Sequence, residues 1–386
     1  MTVYLDHNAT TPVRPEAAEA VAVALTTTGN PSSVHGAGRA ARRLVDDARE
    51  RVAALVGARA EDVIFTSGGT EANNLALANA PHLGPKGGAA SGPVFVSAVE
   101  HVSVLDAVDN AVRIPVDEDG VIDLAALDSM LKDALMAVGG GGGRALVSVM
   151  LANNETGVIQ PIDKVAELAA EHDAVVHCDA VQAAGKLDID FPSMGIHMMS
   201  LSAHKIGGPT GAGALVVAPG HKATAAIRGG GQERSRRGGT ENIPGIAGFG
   251  RAAELAKADI ARLQGMAGLR DRMEAEIAKT EPKARIFAKD RARVATTSCL
   301  TMPGVSSETQ VMAFDLQNIA VSAGSACSSG KVAPSHVLTA MGADEDEIKS
   351  AVRVSLGWTT EENDIDQFIA AWKDLHARIG GGSMAA

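Results

Sequence analysis

The sequence predicts an α/β fold: a mostly parallel sheet covered on both faces by helices, with a smaller α+β region after it. Three observations predict it. Short apolar runs alternate with helical patterns through the first half of the chain. Those runs are too short for helices, and they are rich in Val or bounded by turn residues. Near residue 245 the alternation stops and a long, charged, Ala-rich stretch begins.

A helix starts at Pro15 and stops before Gly29, with Ala17, Val21, Ala24 and Leu25 on the face expected to be buried. Proline first and glycine last is the usual punctuation. Strands are expected at 62–67 (DVIFTS), 93–98 (PVFVSA), 145–152 (ALVSVMLA), 174–180 (AVVHCDA), 198–203 (MMSLSA) and 212–218 (AGALVVA). Between them lie helices near 36–56, 71–79, 123–136 and 162–172. Residues 246–280 read as one long connecting helix. Beyond it, strands at 295–302 and 351–356 and helices near 307–317, 334–341 and 361–378 make the α+β region. The glycines 139–143 read as a surface turn and 380–386 as a frayed end. No internal repeat is evident.

Composition narrows the function. With 386 residues, 46% of them hydrophobic, the chain can bury a large core in two domains. Its net charge of −11 counts against binding DNA or RNA through phosphates. Aromatics are only 3%, so Ala, Val, Leu and Ile must build the core. Three cysteines, Cys178, Cys299 and Cys327, are too sparse for a disulfide framework and point to a reducing compartment. The first residues lack a basic and then apolar leader, and no apolar run approaches the roughly 20 residues that span a bilayer. The chain reads as soluble and cytoplasmic, without a membrane partner.

The chemistry sits where predicted strands end. SAHKIGGP (202–209) places Lys205 just past a buried strand. An ammonium is costly to bury, so Lys205 reads either as a Schiff-base lysine for a carbonyl cofactor or as a surface lysine past a strand. AVVHCDAVQ (174–182) ends a strand on Asp179 and Gln182. Such a carboxylate can keep a pyridine nitrogen protonated, and it can equally cap a helix. SGGTEANN (67–74) opens a helix with Gly68, Gly69 and Thr70, a cradle for an anion. It lacks the dinucleotide fingerprint and the Walker lysine, which disfavours NAD and ATP. His101 follows the strand PVFVSA, at a position common for site residues. Together a phosphate cradle, a His, an Asp and a Lys match the ligand set of pyridoxal phosphate. Cys327 lies in VSAGSACSSG (321–330), a run of small residues suited to an exposed, nucleophilic thiol. Cys299 and Cys178 fall inside strands and read as core residues.

The chain resembles the cysteine desulfurases of the NifS/IscS type, in the class V aminotransferase group of fold-type I pyridoxal-phosphate enzymes. The likeness rests on YLDHNATTP (4–12), GNPSS (29–33), SGGTEANN, AVEH (98–101), NNETG (153–157), HCDAVQ (177–182), SAHKIGGP, GGGQERSRRGGTEN (229–242), GSACSSG (324–330) and RVSLG (353–357). It implies a seven-stranded, mostly parallel sheet in a large domain, 15–250, and a small domain made of 1–14 and 251–386 that carries the cysteine loop. It implies pyridoxal 5'-phosphate bound to Lys205, with Asp179 at the pyridinium nitrogen and Gln182 at the phenolic oxygen. Gly69, Thr70, Ser202 and His204 would hold the phosphate, joined by Thr240 from a second subunit, so a homodimer is implied. Asn154 would meet cofactor and substrate, His101 would stack on the ring and move protons, and Arg353 would grip the carboxylate of L-cysteine. Cys327 would carry the persulfide and pass it to an acceptor or scaffold protein, for iron–sulfur cluster assembly or another thiolation. His7, Ala323, Thr210 and Cys178 depart from the residues usual in the group. The rival readings are a selenocysteine lyase, which can dispense with the loop cysteine, or a cysteine sulfinate enzyme on the same scaffold, and a class V aminotransferase, which needs no thiol at 327. A scaffold protein without activity is the third, and the complete cofactor set argues against it.

Overall fold

A computed structural model describes residues 2–79, 92–137, 143–323 and 334–379. The described chain forms twelve strands: β1 (Val3–Tyr4), β2 (Val63–Thr66), β3 (Val94–Ser97), β4 (Val112–Ile114), β5 (Leu146–Ser148), β6 (Val175–Asp179), β7 (Met198–Ser202), β8 (Gly213–Val217), β9 (Thr297–Thr301), β10 (Ile319–Ala320), β11 (Ser322–Ala323) and β12 (Ala351–Ser355). Seven of them make one sheet in the order β2-β8-β7-β6-β5-β3-β4. The run from β7 to β4 is parallel, and β8 is antiparallel to both its neighbours. Parallel strands deliver all their carboxyl ends to one edge, where open α/β sheets bind ligands.

Small residues explain how so few aromatics suffice. The helix Gly36–Leu55 buries Ala41, Val45, Ala48, Val52 and Leu55, a three-and-four spacing. It packs on the helix Ile243–Ala258 so closely that a Cβ added at Gly250 would lie 2.5 Å from Ala48 Cα. A Cβ at Gly248 would lie 2.6 Å from a Val21 methyl of the helix Pro15–Thr26. A second apolar cluster joins Val3 and Leu5 to Phe314, Phe368 and Trp372. It forms because β1 pairs in parallel with β10, returning the first residues to the late part of the chain.

Several expectations are corrected. The stretch 246–280 is three helices, Ile243–Ala258, Ile260–Gln264 and Ala267–Thr280. The first break falls at Asp259, whose N–H is shared by the Leu255 and Ala256 carbonyls and whose carboxylate pairs with Arg14 at 2.7 Å. The second falls at Gly265, a weak helix former. Leu25 is 70% exposed, because the helix Pro15–Thr26 buries only its small residues Ala17 and Ala24. Strand β4 and the helix Glu345–Ser350 were not expected. β4 exposes two of its three residues and so lacks an apolar run. The short helix is set by an Asp344–Glu347 capping box. Residues 139–142 of the glycine run, and 380–386, lie outside the described residues.

Candidate active site

The carboxyl ends of β3, β5, β6 and β7 and the helix start after β2 surround a cleft of about 320 Å³, within the ordinary size range of small-molecule sites. It brings together Gly69, Thr70, His101, Asn154, Asp179, Gln182, Ser202, His204, Lys205 and Arg353. Thr240 lies elsewhere, exposed, beside Arg237 and Asn242. Cys327 lies outside the described residues.

Lys205 ends the single turn after β7. Its Nζ donates to the main-chain oxygens of Asn8 at 2.6 Å and Ala9 at 2.8 Å. On one side of it is an anion cradle. The helix Gly69–Leu77 begins here, and its first N–H groups have no intrahelical partners. A Cβ at Gly69 would stand 2.9 Å from Val181 Cγ2 and 3.4 Å from Ser202 Cβ, so a glycine keeps the cradle open. Ser202 Oγ is buried and meets no hydrogen-bond partner among the described residues. A phosphate oxygen would satisfy it. His204 is held down to about 4 by burial and by the charge of Lys205, so its ring is neutral at pH 7.

Opposite lies a polar relay. Asp179 Oδ1 accepts the Val181 N–H at 2.9 Å, and Oδ2 accepts an N–H of Asn73 at 2.7 Å. Asn73 Nδ2 also donates to Ser103 Oγ at 2.9 Å, and Ser103 Oγ meets His101 Nδ1 at 2.8 Å. The Ser103 main-chain N–H points at the same ring nitrogen at 3.1 Å. Nδ1 is therefore the acceptor, and the neutral ring carries its proton on Nε2. Burial lowers the His101 pKa, with Lys205 and His336 adding to the effect and Asp179 opposing it.

Arg353 on β12 closes the cleft. Its Nη2 bonds Asp6 at 2.8 Å and Nη1 bonds the Asn154 carbonyl at 3.1 Å. Two of its five N–H donors are thus spent on holding the plane of the fork. Arg353 Nε and Asn154 Oδ1 are buried without a partner among the described residues, as an arriving carboxylate or amine would require. Below them, burial pushes Glu155 up to about 7, opposed by the Ser335 hydroxyl and by Arg353. Burial also raises the Cys178 and Cys299 thiols, which keeps both protonated and inert.

Sequence reasoning missed Asn8, Asn73, Ser103 and Lys186. Asn8 and Asn73 sit inside segments already singled out, YLDHNATTP and SGGTEANN. Their amides serve the site residues, which no spacing rule reveals. Amine, carboxylate, histidine and anion cradle, with the unpartnered Ser202 hydroxyl, fit pyridoxal 5'-phosphate.

Comparison with known proteins agrees. The Aminotransferase class-V family matches residues 3–368. A cysteine desulfurase of Cereibacter sphaeroides is 44% identical, over 95% of this chain and 94% of that one. The X-ray structure of a NifS-like protein from Rickettsia africae superposes with a TM-score of 0.86 at 35% identity, over 98% of this chain and all of that one. A structure of SspA in complex with cysteine gives a TM-score of 0.74 at 32% identity, over 92% of this chain and 99% of that one. The chain therefore belongs to the class-V aminotransferase family, as a pyridoxal-phosphate-dependent enzyme of its cysteine desulfurase group.

Proposed function

We propose that the chain takes the sulfur of L-cysteine, releases L-alanine and holds the sulfur as a persulfide on Cys327. The observation that carries this reading is the pairing of Ser322 on β11 with Arg353 on β12. The segment with Cys327 therefore follows, after Ala323, the strand position that pairs with Arg353, whose guanidinium would grip the substrate. Its far end returns nearby, where Ser335 bonds Glu155 at 2.6 Å and His336 bonds the carbonyl of Glu100, next to His101.

Lys205 would hold the cofactor, with Asp179 at its ring nitrogen and Gln182 at its phenolic oxygen. Gly69, Thr70, Ser202 and His204 would hold its phosphate. When bound, the cofactor draws electrons from the substrate's α-carbon. Arg353 binds the substrate carboxylate through the donors it has left, and Asn154 orients the amine. His101 would stack on the ring and move protons through its Nε2–H, and the Cys327 thiol must give up its own proton, because only the thiolate is nucleophilic. The Cys327 sulfur bonds the substrate sulfur as the Cβ–S bond breaks. The bond's electrons stay on Cβ, which gains a proton and becomes the methyl of alanine. No further oxidant is needed: one thiol and one cysteine become one persulfide and one alanine.

In this reading residues 15–250 hold the cofactor, while 1–14 and 251–386 bring the cysteine. The protein works as a homodimer, in which the exposed Thr240 reaches the partner's phosphate. An acceptor or scaffold protein takes the sulfur in the cytoplasm, for iron–sulfur cluster assembly or another thiolation. Among the described residues no helix is long and apolar enough to cross a membrane. The neighbour solved with cysteine bound supports the substrate. The test is to supply cysteine and selenocysteine separately to the loaded enzyme and to its Lys205→Ala and Arg353→Lys variants. Lys205→Ala is expected to form no alanine, and Arg353→Lys to raise KM about tenfold or more. Wild-type turnover by Lys205→Ala would refute the reading.

A further inference from the structure

A second lysine lies beneath the cleft. Lys186 is 8% exposed, and its Nζ donates to Asn8 Oδ1 at 2.7 Å and to Gln182 Oε1 at 3.0 Å. The charges that act on it most, Lys205 and Arg353, are both positive. Burial first, and those charges second, bring its pKa down to about 7. A buried amine among like charges is expensive, so a reason for its presence is required.

The reason lies in the two amides. Gln182 Nε2 donates to the Asn8 carbonyl at 2.9 Å. Asn8 Nδ2 donates to the Asn154 carbonyl at 3.1 Å and to Thr297 Oγ1 at 2.9 Å. Turning either amide over would set its oxygen against a carbonyl oxygen. Without Lys186, both amide oxygens would be buried acceptors lacking partners. With it, each amide has one orientation, and Gln182 keeps its second N–H for the cleft. The Asn154 carbonyl that Asn8 braces also holds Arg353.

We propose that Lys186 is a positioning residue, which locks Gln182 so that it presents an N–H donor, never its carbonyl, to the cofactor. This rests on the reading that Gln182 meets a cofactor oxygen. A donor at that oxygen favours its deprotonated form, so its loss raises the pH at which the bound cofactor changes colour.

The experiment compares Lys186→Met, Lys186→Gln, Gln182→Met and the double variant Lys186→Met/Gln182→Met. It measures pyridoxal 5'-phosphate affinity for the apo protein, the pH midpoint of the bound cofactor's absorption change, and apo thermal stability. Lys186→Met is expected to weaken the affinity about tenfold and raise the midpoint by about one unit. Lys186→Gln keeps an uncharged donor and is expected to restore at least half of each loss. The double variant is expected to be no worse than Gln182→Met, because both act through one contact. If Gln182→Met shifts the midpoint and neither Lys186 variant does, the proposal is overturned while the Gln182 reading stands. If Gln182→Met alone shifts nothing, both fall. A Lys186→Met that lowers only thermal stability is a structural substitution and overturns the proposal. Should Lys186→Met fail to fold, Lys186→Gln against Gln182→Met decides by the same midpoint.

Discussion

Asn73 donates an amide N–H to Asp179 Oδ2 at 2.7 Å, and this contact ties the carboxylate to the histidine across the cleft. The same nitrogen reaches Ser103 Oγ, which meets His101 Nδ1. One buried amide therefore fixes the direction of Asp179 and supports the tautomer of His101. Asn73→Ala leaves Asp179 with the Val181 N–H alone and breaks the relay. Cofactor affinity is expected to fall about tenfold, the cost of one hydrogen bond to a charged group. Titration of the apo protein with the cofactor checks this, and unchanged affinity would count against the relay.

Gly69→Ala tests the cradle. The new Cβ meets Val181 Cγ2 at 2.9 Å and narrows the space beside Ser202. Alanine is a better helix former than glycine by up to about 1 kcal/mol, but the 2.9 Å contact forces Val181 to shift, so the two effects on apo stability oppose each other. Cofactor affinity is expected to drop while the apo protein stays folded. Equal affinity in variant and parent would show that no anion uses this helix start.

His177 predicts the response to acid. It bridges Ser148 Oγ at 2.8 Å and Ser200 Oγ at 2.9 Å inside the sheet, and burial lowers it from 6.5 to about 3. The folded protein then binds its proton less readily than the unfolded chain. Its contribution to stability is complete above about pH 6.5 and is lost as the pH falls toward 3, by up to about 1.4 kcal/mol per unit. His7, pushed down to about 3, and His204, pushed down to about 4, act in the same direction. His177→Gln is expected to be less stable at pH 7.5, yet to lose less stability between pH 6.5 and 4. Urea unfolding across that range checks it, and a slope equal to that of the parent would refute the assignment.

What the sequence reveals follows from distance along the chain. Lys205, Asp179 and His101 were legible because each closes a local strand pattern, and strand ends are where such sheets bind ligands. The cradle was legible because its glycines and helix are contiguous. Lys186 was not, because its partner Asn8 lies 178 positions away and neither residue departs from its local pattern. β4 was hidden by its exposed edge position, and the break at Asp259 by an ion pair to Arg14, 245 positions away. Leu25 misled because an apolar spacing fits a helix face whose contacts are made by alanines.

In the proposed function one thiol, Cys327, accepts the sulfur. Cys178 and Cys299 are fully buried, with thiols raised by that burial, and so are excluded as carriers. The direct measurement supplies L-cysteine to the cofactor-loaded protein and follows alanine and the mass of each cysteine peptide together. One alanine is expected for each sulfur gained on Cys327, and the Cys327→Ala variant is expected to bind the cofactor normally but to form neither product. Alanine released by Cys327→Ala at the parent rate, or sulfur found on Cys178 or Cys299 instead, would contradict it.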